Sequence, residues 1–284
     1  MLRSSLLLCV AVLAIGPACV GAEGTGAGGG GAGGTGGSTS MGSGSVVWLG
    51  AHPDDELYVA PWLAQLCIEE HAKCRFLVMT HGEAGGCKLA QGCLPDLETV
   101  RQAELTASAA LFGAEVLLWD YGDGTSGTMD GVAANWGSTV GGADALVALV
   151  ASELQGAERV VTFDPRHGDS CHADHRAAGA VAIAAAEQAG LSPSQVTLVA
   201  SRLVTEPAVP DDASLWSFDA SVPLSETGLP AWQMLVDVLS THSSQFSSDE
   251  VASIEAVSPM LQRTWLLNLS DAQVGDSRYE DLCP

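Results

Sequence analysis

Basic residues, aromatic residues and long apolar runs are all scarce in this chain. Of its 284 residues, 11 are Lys or Arg and 34 are Asp or Glu, so the formal net charge is −23. Such an acidic protein repels phosphate backbones and anionic membranes, which excludes nucleic acid as a partner. Aromatic residues make up only 5% of the chain, although hydrophobic residues reach 47%. We therefore expect a substantial core built mainly from Ala, Val and Leu.

The signatures of three other kinds of site are also missing. A serine hydrolase on an α/β sheet needs Gly-x-Ser-x-Gly at a turn between strand and helix, and the chain has no such segment. A nicotinamide dehydrogenase needs Gly-x-Gly-x-x-Gly after its first strand, where this chain has Ala51-His52-Pro53. No Cys-x-x-Cys pair occurs, which argues against a cysteine zinc knuckle.

The amino terminus, residues 1–22, has the pattern of an export signal. Arg3 precedes an apolar stretch at residues 6–15, which is too short to span a bilayer because a span takes about 20 residues. Cleavage after Ala22 predicts free secretion, whereas cleavage before Cys19 predicts a lipid-anchored protein, and the sequence leaves both open. We expect a bacterial periplasmic, extracellular or envelope-anchored protein that meets the membrane only through such an anchor.

Residues 23–44 are almost entirely Gly, Thr, Ser and Ala. A segment with so few apolar side chains cannot build a core, so we interpret it as a flexible linker. It is not a phosphate-binding loop, because no strand precedes it and no helix follows it. Residues 45–284 are predicted to form a single folded domain.

Six cysteines remain beyond the signal, and an even number in an exported chain indicates disulfides. Six cysteines allow 15 pairings, so the connectivity does not follow from their number. Proximity in sequence suggests that Cys67 pairs with Cys74 and Cys87 with Cys93. Cys171 would then pair with the remaining cysteine, Cys283, although a role as a fourth metal ligand is an alternative for Cys171.

Apolar strands alternate with helices from residue 45 onward. Strands are predicted at residues 45–50, 75–80, 115–119, 159–163 and 195–200. Helices are predicted at residues 57–70, 97–112, 143–154, 175–189 and 231–240. This alternation indicates an α/β fold of three layers, Rossmann-like, with a mostly parallel sheet flanked by helices. Such sheets bind ligands at the carboxyl ends of their strands.

Two polar clusters lie at such strand ends. The first strand leads into His52-Pro53-Asp54-Asp55, and the fourth strand and its loop lead into His172-Ala173-Asp174-His175. Two His and one carboxylate form a known catalytic zinc set, and a second carboxylate can then act as a general base. Taken singly, the first cluster could be a helix N-cap and the second a pair of surface histidines. Their joint position favours a metal site.

The motifs resemble the PIG-L/LmbE-like family of zinc-dependent N-acetylglucosaminyl deacetylases. Besides the two clusters, the resemblance includes an Asp-Gly loop at residues 120–124 and three further segments, one of which is an Arg-x-x-Glu helix. These are Thr80-His81-Gly82-Glu83, Arg101-Gln102-Ala103-Glu104 and His242-Ser243-Ser244-Gln245. The resemblance implies hydrolysis of the N-acetyl group of an N-acetylglucosamine-type substrate, with release of acetate.

The resemblance also implies a role for each residue. The zinc ligands would be His52, Asp55 and His175. The catalytic groups would be Asp54 as general base, His172 as the donor to the oxyanion and to the leaving amine, and Asp174 as the acid that orients His172.

Three further residues, Arg101, Glu83 and His242, would belong to the substrate pocket. For Arg101, a salt bridge to Glu104 on the same helix is an alternative. Glu83 and His242 are expected to brace the pocket more than to react.

Two other functions remain open at this stage. One is a non-catalytic module that binds zinc or carbohydrate, and the other is a zinc amidase that acts on a different acylated substrate. Iron, cobalt or manganese would fit the same ligands as zinc. The export signal sets this chain apart from the cytosolic members of the family, so the natural substrate does not follow from the resemblance. The oligomeric state does not follow from the sequence either.

Overall fold

The computed structural model describes residues 44–203, 206–257, 262–273, 275–280 and 283. The expected export signal, the alternative lipid-anchor residue Cys19 and all but the last residue of the expected linker lie outside this part of the chain. None of the helices in the described part is both long and apolar enough to cross a membrane.

A seven-stranded sheet organises the described residues. Five strands run parallel: β1 (Ser45–Gly50), β2 (Lys73–Val78), β3 (Glu115–Leu118), β4 (Arg159–Phe163) and β5 (Val196–Val199). β6 (Ser201–Leu203) and β7 (Glu206–Pro207) form a small separate pair. β8 (Trp216–Asp219) and β9 (Arg263–Asn268) extend the main sheet antiparallel, in the order β3-β2-β1-β4-β5-β9-β8.

Helices cover both faces of the sheet, so the α/β three-layer prediction is confirmed. α1 (Ala60–Ala64), α2 (Leu97–Leu111) and α7 (Trp232–Thr241) pack on one face. α3 (Met129–Val140), α4 (Ala143–Glu153) and α6 (Ala173–Gln188) pack on the other. The remaining short helices are α5 (Gly168–Cys171), α8 (Ser248–Glu255) and α9 (Ser277–Glu280).

The alternation of side chains along each strand divides the core into two clusters. Val46 and Trp48 of β1 face one cluster, whereas Val47 and Leu49 face the other. All four are almost fully buried, and each such side chain contributes about 1.5–3 kcal/mol to stability. The sheet is therefore apolar on both faces, and polar chemistry is confined to the ends of its strands.

Most predicted elements are present, with local differences. The expected helix at residues 57–70 is a 3-10 turn at Asp55–Tyr58, then α1, then a π-helical turn at Gln65–Glu69. β2 begins two residues earlier than predicted, because its register with β1 pairs Lys73 with Ser45. α3 was not predicted, since Gly131 and Gly137 within it weaken the helical pattern.

The expected pairing of cysteines agrees with two disulfides. Cys67 is bonded to Cys74 and Cys87 to Cys93. In the third predicted pair, the sulfur atoms of Cys171 and Cys283 lie 3.1 Å apart. Two disulfides are typical of proteins in oxidising compartments.

Candidate metal centre

The two polar clusters meet because β1 and β4 are neighbours. β4 pairs with β1 in parallel register, Val46 opposite Arg159 and Leu49 opposite Thr162. Both strands therefore end at the same edge of the sheet. The turn after β1 carries His52, Asp54 and Asp55, and α6 begins just beyond β4 and carries His175 in its first turn.

Three side-chain atoms of these clusters form a compact triangle. His52 Nδ1 lies 3.2 Å from His175 Nε2, and Asp55 Oδ1 lies 3.0 Å from His175 Nε2 and 3.6 Å from His52 Nδ1. Ligand atoms that surround one zinc ion tetrahedrally lie about 3.3 Å from each other. We call His52, Asp55 and His175 the ligand triad. Its atoms are spaced as ligands of a single ion would be, and all three residues are buried.

The outer contacts of Asp55 and His175 leave their inner atoms available to a metal. Asp55 Oδ2 accepts hydrogen bonds from the backbone N–H groups of Ala51 and His52, at 2.7 and 2.8 Å. His175 Nδ1 donates to the carbonyl oxygen of Gly168 at 2.8 Å, so its Nε2 carries the lone pair. Asp55 Oδ1 and His175 Nε2 are therefore directed at the centre of the triangle.

The turn that presents His175 depends on Gly168. The φ of this glycine is +55°, and a Cβ atom here would lie 2.8 Å from the backbone nitrogen of Arg176 and from Cβ of His175. On its other side the His175 ring stacks on Phe163, the last residue of β4, with ring centroids 4.2 Å apart. The imidazole is thus fixed between a turn and the sheet.

His52 makes contacts that the sequence did not predict. Its Nε2 lies 3.0 Å from Asp123 Oδ1 and 3.3 Å from Asp174 Oδ2. Asp123 lies in the loop after β3, and the motif at residues 120–124 singled out this loop but not the residue. The signal that could have identified Asp123 was the topology of the sheet, because β3 ends at the same sheet edge as β1.

The structure shows no hydrogen bond between Asp174 and His172, the imidazole that Asp174 was expected to orient. Asp174 Oδ2 accepts from the backbone N–H of Gly124 at 2.8 Å and faces His52. Its Oδ1 and the Nδ1 of His172 both lack a hydrogen-bond partner among the described residues. The hydrogen bond from the N–H of Gly124 thus holds Asp174 Oδ2 on the side of His52.

His172 lies beside the ligand triad but outside its triangle. Its ring packs against His52 and His175, with centroids 4.9 and 4.7 Å away. One ring nitrogen of each of the three histidines lies within 4.8 Å of the others, so a three-histidine set is conceivable. The triangle with Asp55 is tighter, which favours His172 as a neighbour of the metal. Burial and the adjacent His175 and His52 lower the pKa of His172 to about 2.

Asp54 is held at the rim of the site by Arg101. The guanidinium of Arg101 donates to Asp54 Oδ1 at 2.7 Å, to the carbonyl oxygen of Gly82 at 2.8 Å and to that of Pro53. Arg101 is only 4% exposed. Asp54 has a φ of +118° and occupies the N-cap position of the 3-10 turn, yet its side chain makes no cap hydrogen bond. The helix-cap alternative therefore does not explain this residue.

Two carboxylates on adjacent residues have opposite pKa shifts. Burial alone would raise the pKa of Asp55, but His175 and His52 hold it well below its usual value. Burial raises the pKa of Asp54, and the attraction of Arg101 offsets only part of this shift. Asp55 thus has the character of an ionised ligand, whereas Asp54 is the more basic of the two.

The three expected pocket residues occupy supporting positions. Arg101 does not pair with Glu104, whose carboxylate instead accepts hydrogen bonds from Ser243 and Ser244. Glu83 Oε1 accepts from the backbone N–H of Asp123 at 2.7 Å.

His242 has no exposed surface, and its Nε2 lies 2.7 Å from Glu56 Oε1. A side chain buried in this way cannot contact a substrate in this conformation. Cys171 belongs to neither group of candidate metal ligands found among the described residues.

The donor set fits a divalent metal ion. Two imidazole nitrogens and one carboxylate oxygen converge, and the outer atom of each group is hydrogen-bonded in the way that fixes metal ligands. A second carboxylate, Asp54, and a third imidazole, His172, flank the triad without being part of it. Such an arrangement can activate water and receive a proton beside a bound ion.

Comparison with protein families identifies one match. The sequence model of the PIG-L family, described as GlcNAc-PI de-N-acetylase, matches residues 47–186. The match includes the ligand triad, Asp54, Arg101, Asp123, His172 and Asp174. No curated protein matches the chain in sequence.

Several solved structures share the fold. The N,N'-diacetylchitobiose deacetylase of Pyrococcus horikoshii is 18% identical, with a TM-score of 0.52, over 82% of this chain and 86% of its own. A teicoplanin deacetylase in a zinc-inhibited form is 15% identical, with a TM-score of 0.50, over 78% and 97%. The 4-carboxy-2-hydroxymuconate hydratase GalB of Pseudomonas putida KT2440 is 16% identical, with a TM-score of 0.50, over 75% and 83%.

Proposed function

The chain belongs to the PIG-L family, and from this premise we infer that it removes the N-acetyl group of an acetylated amino sugar, using a zinc ion held by His52, Asp55 and His175. The enzymes of this family hydrolyse non-peptide amide bonds, so the reaction class is that of an N-deacetylase. The ion, the residue roles and the sugar are our proposal.

One observation carries the proposal: the ligand triad converges within 3.0–3.6 Å while a separate, more basic carboxylate lies next to it. A hydrolase of this kind needs both a ligand set and an independent base. Asp54 and Asp55 are consecutive, but Arg101 draws Asp54 to the rim while two backbone N–H groups draw Asp55 inward. Neighbouring residues can therefore divide the two tasks.

In this proposal the chain's own residues handle the proton and the developing charge. Asp54 takes a proton from the water that attacks the acetyl carbon. His172 donates an N–H to the oxygen that becomes negative, as an oxyanion donor does. When the C–N bond breaks, the proton held on Asp54 passes to the leaving amine. The resemblance gives this proton transfer to His172, but the pKa of His172 is lowered to about 2, so its neutral ring is a poor proton source. Acetate and the free amino sugar are the products.

The metal proposal rests on the donor set of the triad. When bound, a zinc ion supplies Lewis acidity that polarises a carbonyl group and acidifies water. Two imidazoles and one carboxylate are a set that zinc accepts in catalytic sites. A teicoplanin deacetylase of the same fold occurs in a zinc-inhibited form, so a protein with this fold can bind zinc.

The substrate class is supported by the family and not by the fold. A hydratase and a chitobiose deacetylase have similar backbones, so the fold alone does not choose the reaction. We propose an N-acetylglucosamine-type sugar because the family description names one. A zinc amidase for another acylated compound and a non-catalytic binding module are the alternatives.

We further propose that residues 45–284 act as one catalytic unit exported from the bacterial cytoplasm. The two disulfides support an oxidising location. Residues 1–22 would direct export, and residues 23–44 would separate the enzyme from a membrane anchor if Cys19 carries one.

The test is acetate release by the purified, zinc-loaded protein from a panel of N-acetylglucosamine compounds. We expect release that a chelator abolishes. Asp54→Asn should lower kcat by about 10²–10⁴-fold, because a general base contributes that much, and should retain zinc. Asn suits the positive φ of this position better than Ala would. Asp55→Asn should instead lose zinc.

Three results would contradict the proposal. Loss of zinc in the Asp54→Asn variant would make Asp54 a ligand. Acetate release that persists in the presence of a chelator would remove the metal from the reaction. Zinc binding and tight sugar binding without any hydrolysis would favour the non-catalytic module.

A further inference from the structure

Both ring nitrogens of His52 are engaged, and their roles are linked. Nδ1 faces Asp55 and His175 within the ligand triad. Nε2 faces outward, toward the carboxylates of Asp123 and Asp174. A neutral imidazole has one N–H and one lone pair. If a carboxylate accepts the N–H at Nε2, the lone pair must be on Nδ1, where a metal would take it.

Asp123 is the better placed of the two acceptors. Its Oδ1 lies 3.0 Å from His52 Nε2, against 3.3 Å for Asp174 Oδ2. Asp174 Oδ2 also accepts the N–H of Gly124 at 2.8 Å, so it divides its lone pairs between two donors. A single N–H forms a well-aligned hydrogen bond with only one of these two carboxylate oxygens. The geometry therefore indicates that His52 Nε2–H donates its hydrogen bond to Asp123.

The loop after β2 holds Asp123 in position. The backbone N–H of Asp123 donates to Glu83 Oε1 at 2.7 Å, and Asp123 Oδ2 accepts from the N–H of Ala84 at 3.0 Å. The same loop is fixed by Arg101, which donates to the carbonyl oxygen of Gly82. Only 7% of the Asp123 side chain is exposed. Its carboxylate is therefore held from two sides and shielded from water.

We propose that Asp123 is a positioning residue of the metal centre, which fixes the tautomer and the ring orientation of His52 through Nε2. Glu83 acts through Asp123 and does not touch the substrate. The carboxylate also makes His52 a stronger ligand, since its negative charge favours electron donation from Nδ1. This inference deepens the proposed function, because it concerns the same ligand triad.

The first experiment measures zinc affinity of the whole protein by competition with a chromogenic chelator. We expect Asp123→Asn, which keeps an acceptor oxygen but loses the negative charge, to bind zinc about 10–100-fold more weakly than the wild type, the usual effect of mutating a hydrogen-bonding partner of a metal ligand. Asp123→Glu should recover part of the loss, since it keeps a carboxylate. Asp120→Asn is the matched control: Asp120 lies in the same loop but is exposed. Its zinc affinity should not change.

The second experiment needs no variant. Nitrogen-15 NMR of the zinc-loaded wild-type protein should show the His52 Nε2 protonated and its Nδ1 bound to metal. A His52 that binds metal through Nε2 would overturn the proposal, and so would an Asp123→Asn variant with unchanged zinc affinity. Neither measurement involves turnover. If acetate is never released but Asp123→Asn weakens zinc binding, the proposed function fails while the role of Asp123 stands.

Discussion

The position of Arg101 distinguishes between two possible roles of this residue, which are binding the substrate and positioning Asp54. The resemblance to the family implied an arginine near the substrate. In the structure its guanidinium is buried and spans Asp54 and the carbonyl oxygens of Gly82 and Pro53. These contacts fix the direction of Asp54, the proposed general base, and of the loop that holds Asp123. The planar guanidinium group has several N–H donors in a fixed geometry and can bind all three oxygens at once, whereas the single ammonium group of a lysine cannot.

We therefore expect Arg101→Lys to lower kcat by about 100-fold, the size of effect that a misplacement of about 1 Å has. At saturating zinc the variant should still hold one ion, because Arg101 contacts no member of the ligand triad. Guanidinium ion at millimolar concentration should restore part of the activity of Arg101→Ala, because it can occupy the vacated position. Steady-state kinetics separate the alternatives: a raised KM with unchanged kcat would return Arg101 to substrate binding.

The sequence predicted the residues that carry a motif and missed those placed by topology. His52, Asp55 and His175 could be predicted to lie together because metal ligands need particular residue types at particular spacings. Asp123 could not, because an aspartate in a Gly-rich loop has many ordinary uses. The contact from Asp174 to His52 was missed for a related reason. It depends on Gly124, a backbone donor that no pattern of side chains reveals.

At the scale of elements, the close packing of α6 on β4 positions His175. Gly179 makes this approach possible, because a Cβ at this position would lie 2.2 Å from the carbonyl oxygen of Phe163. Phe163 is the residue on which the His175 ring stacks. The distance between helix and strand therefore also sets the position of His175, a proposed metal ligand.

Gly179→Ala should force α6 away from the sheet. We expect a loss of about 1–3 kcal/mol in the free energy of unfolding, as for other overpacked sites, together with weaker zinc binding. Gly127→Ala serves as the control, since a Cβ there would meet nothing within 4 Å and the residue does not need a positive φ. Thermal unfolding and zinc titration of both variants check this. Normal zinc affinity in Gly179→Ala would show that the helix can shift without moving His175.

Strongly periodic elements were predictable, and the far edge of the sheet was not. The central parallel strands are nearly all apolar, and α2 and α6 are long and regular. β8 and β9 lie at the antiparallel edge, where one face is less covered and the residues are mixed, as in Trp216–Asp219. The helix expected at residues 57–70 changes type within its length. Local pattern does not record such a change, because the packing of α1 against α7 decides it.

At the scale of the molecule, the two disulfides lie toward opposite ends of the sheet. Cys74 is the second residue of β2, so the Cys67–Cys74 bond is at the amino end of the strands. The Cys87–Cys93 bond lies in the loop beyond the carboxyl end of β2, which also contains Glu83 and Ala84. The first should matter for stability alone, and the second for the site.

Removing the first bond in a Cys67→Ala, Cys74→Ala variant should lower the free energy of unfolding by about 2–3 kcal/mol, the loop-closure value for a short loop. Zinc affinity should not change. The matched Cys87→Ala, Cys93→Ala variant should bind zinc more weakly, because its loop holds Asp123. Urea denaturation and zinc titration report the two effects. Unchanged zinc affinity in the Cys87→Ala, Cys93→Ala variant would show that the metal centre does not depend on the loop after β2.

The pairing of β1 with β4 has a consequence for how the protein is made. His52 and His175 are 123 positions apart, and they meet only when β4 has joined β1 and α6 has docked. If the chain is exported unfolded, as proposed, it can close the Cys67–Cys74 bond early, since that contact is local. It cannot capture a metal until the slow, long-range step is complete. Metal uptake should therefore report the end of folding, and a chelator present during refolding should leave the early kinetic phases unchanged.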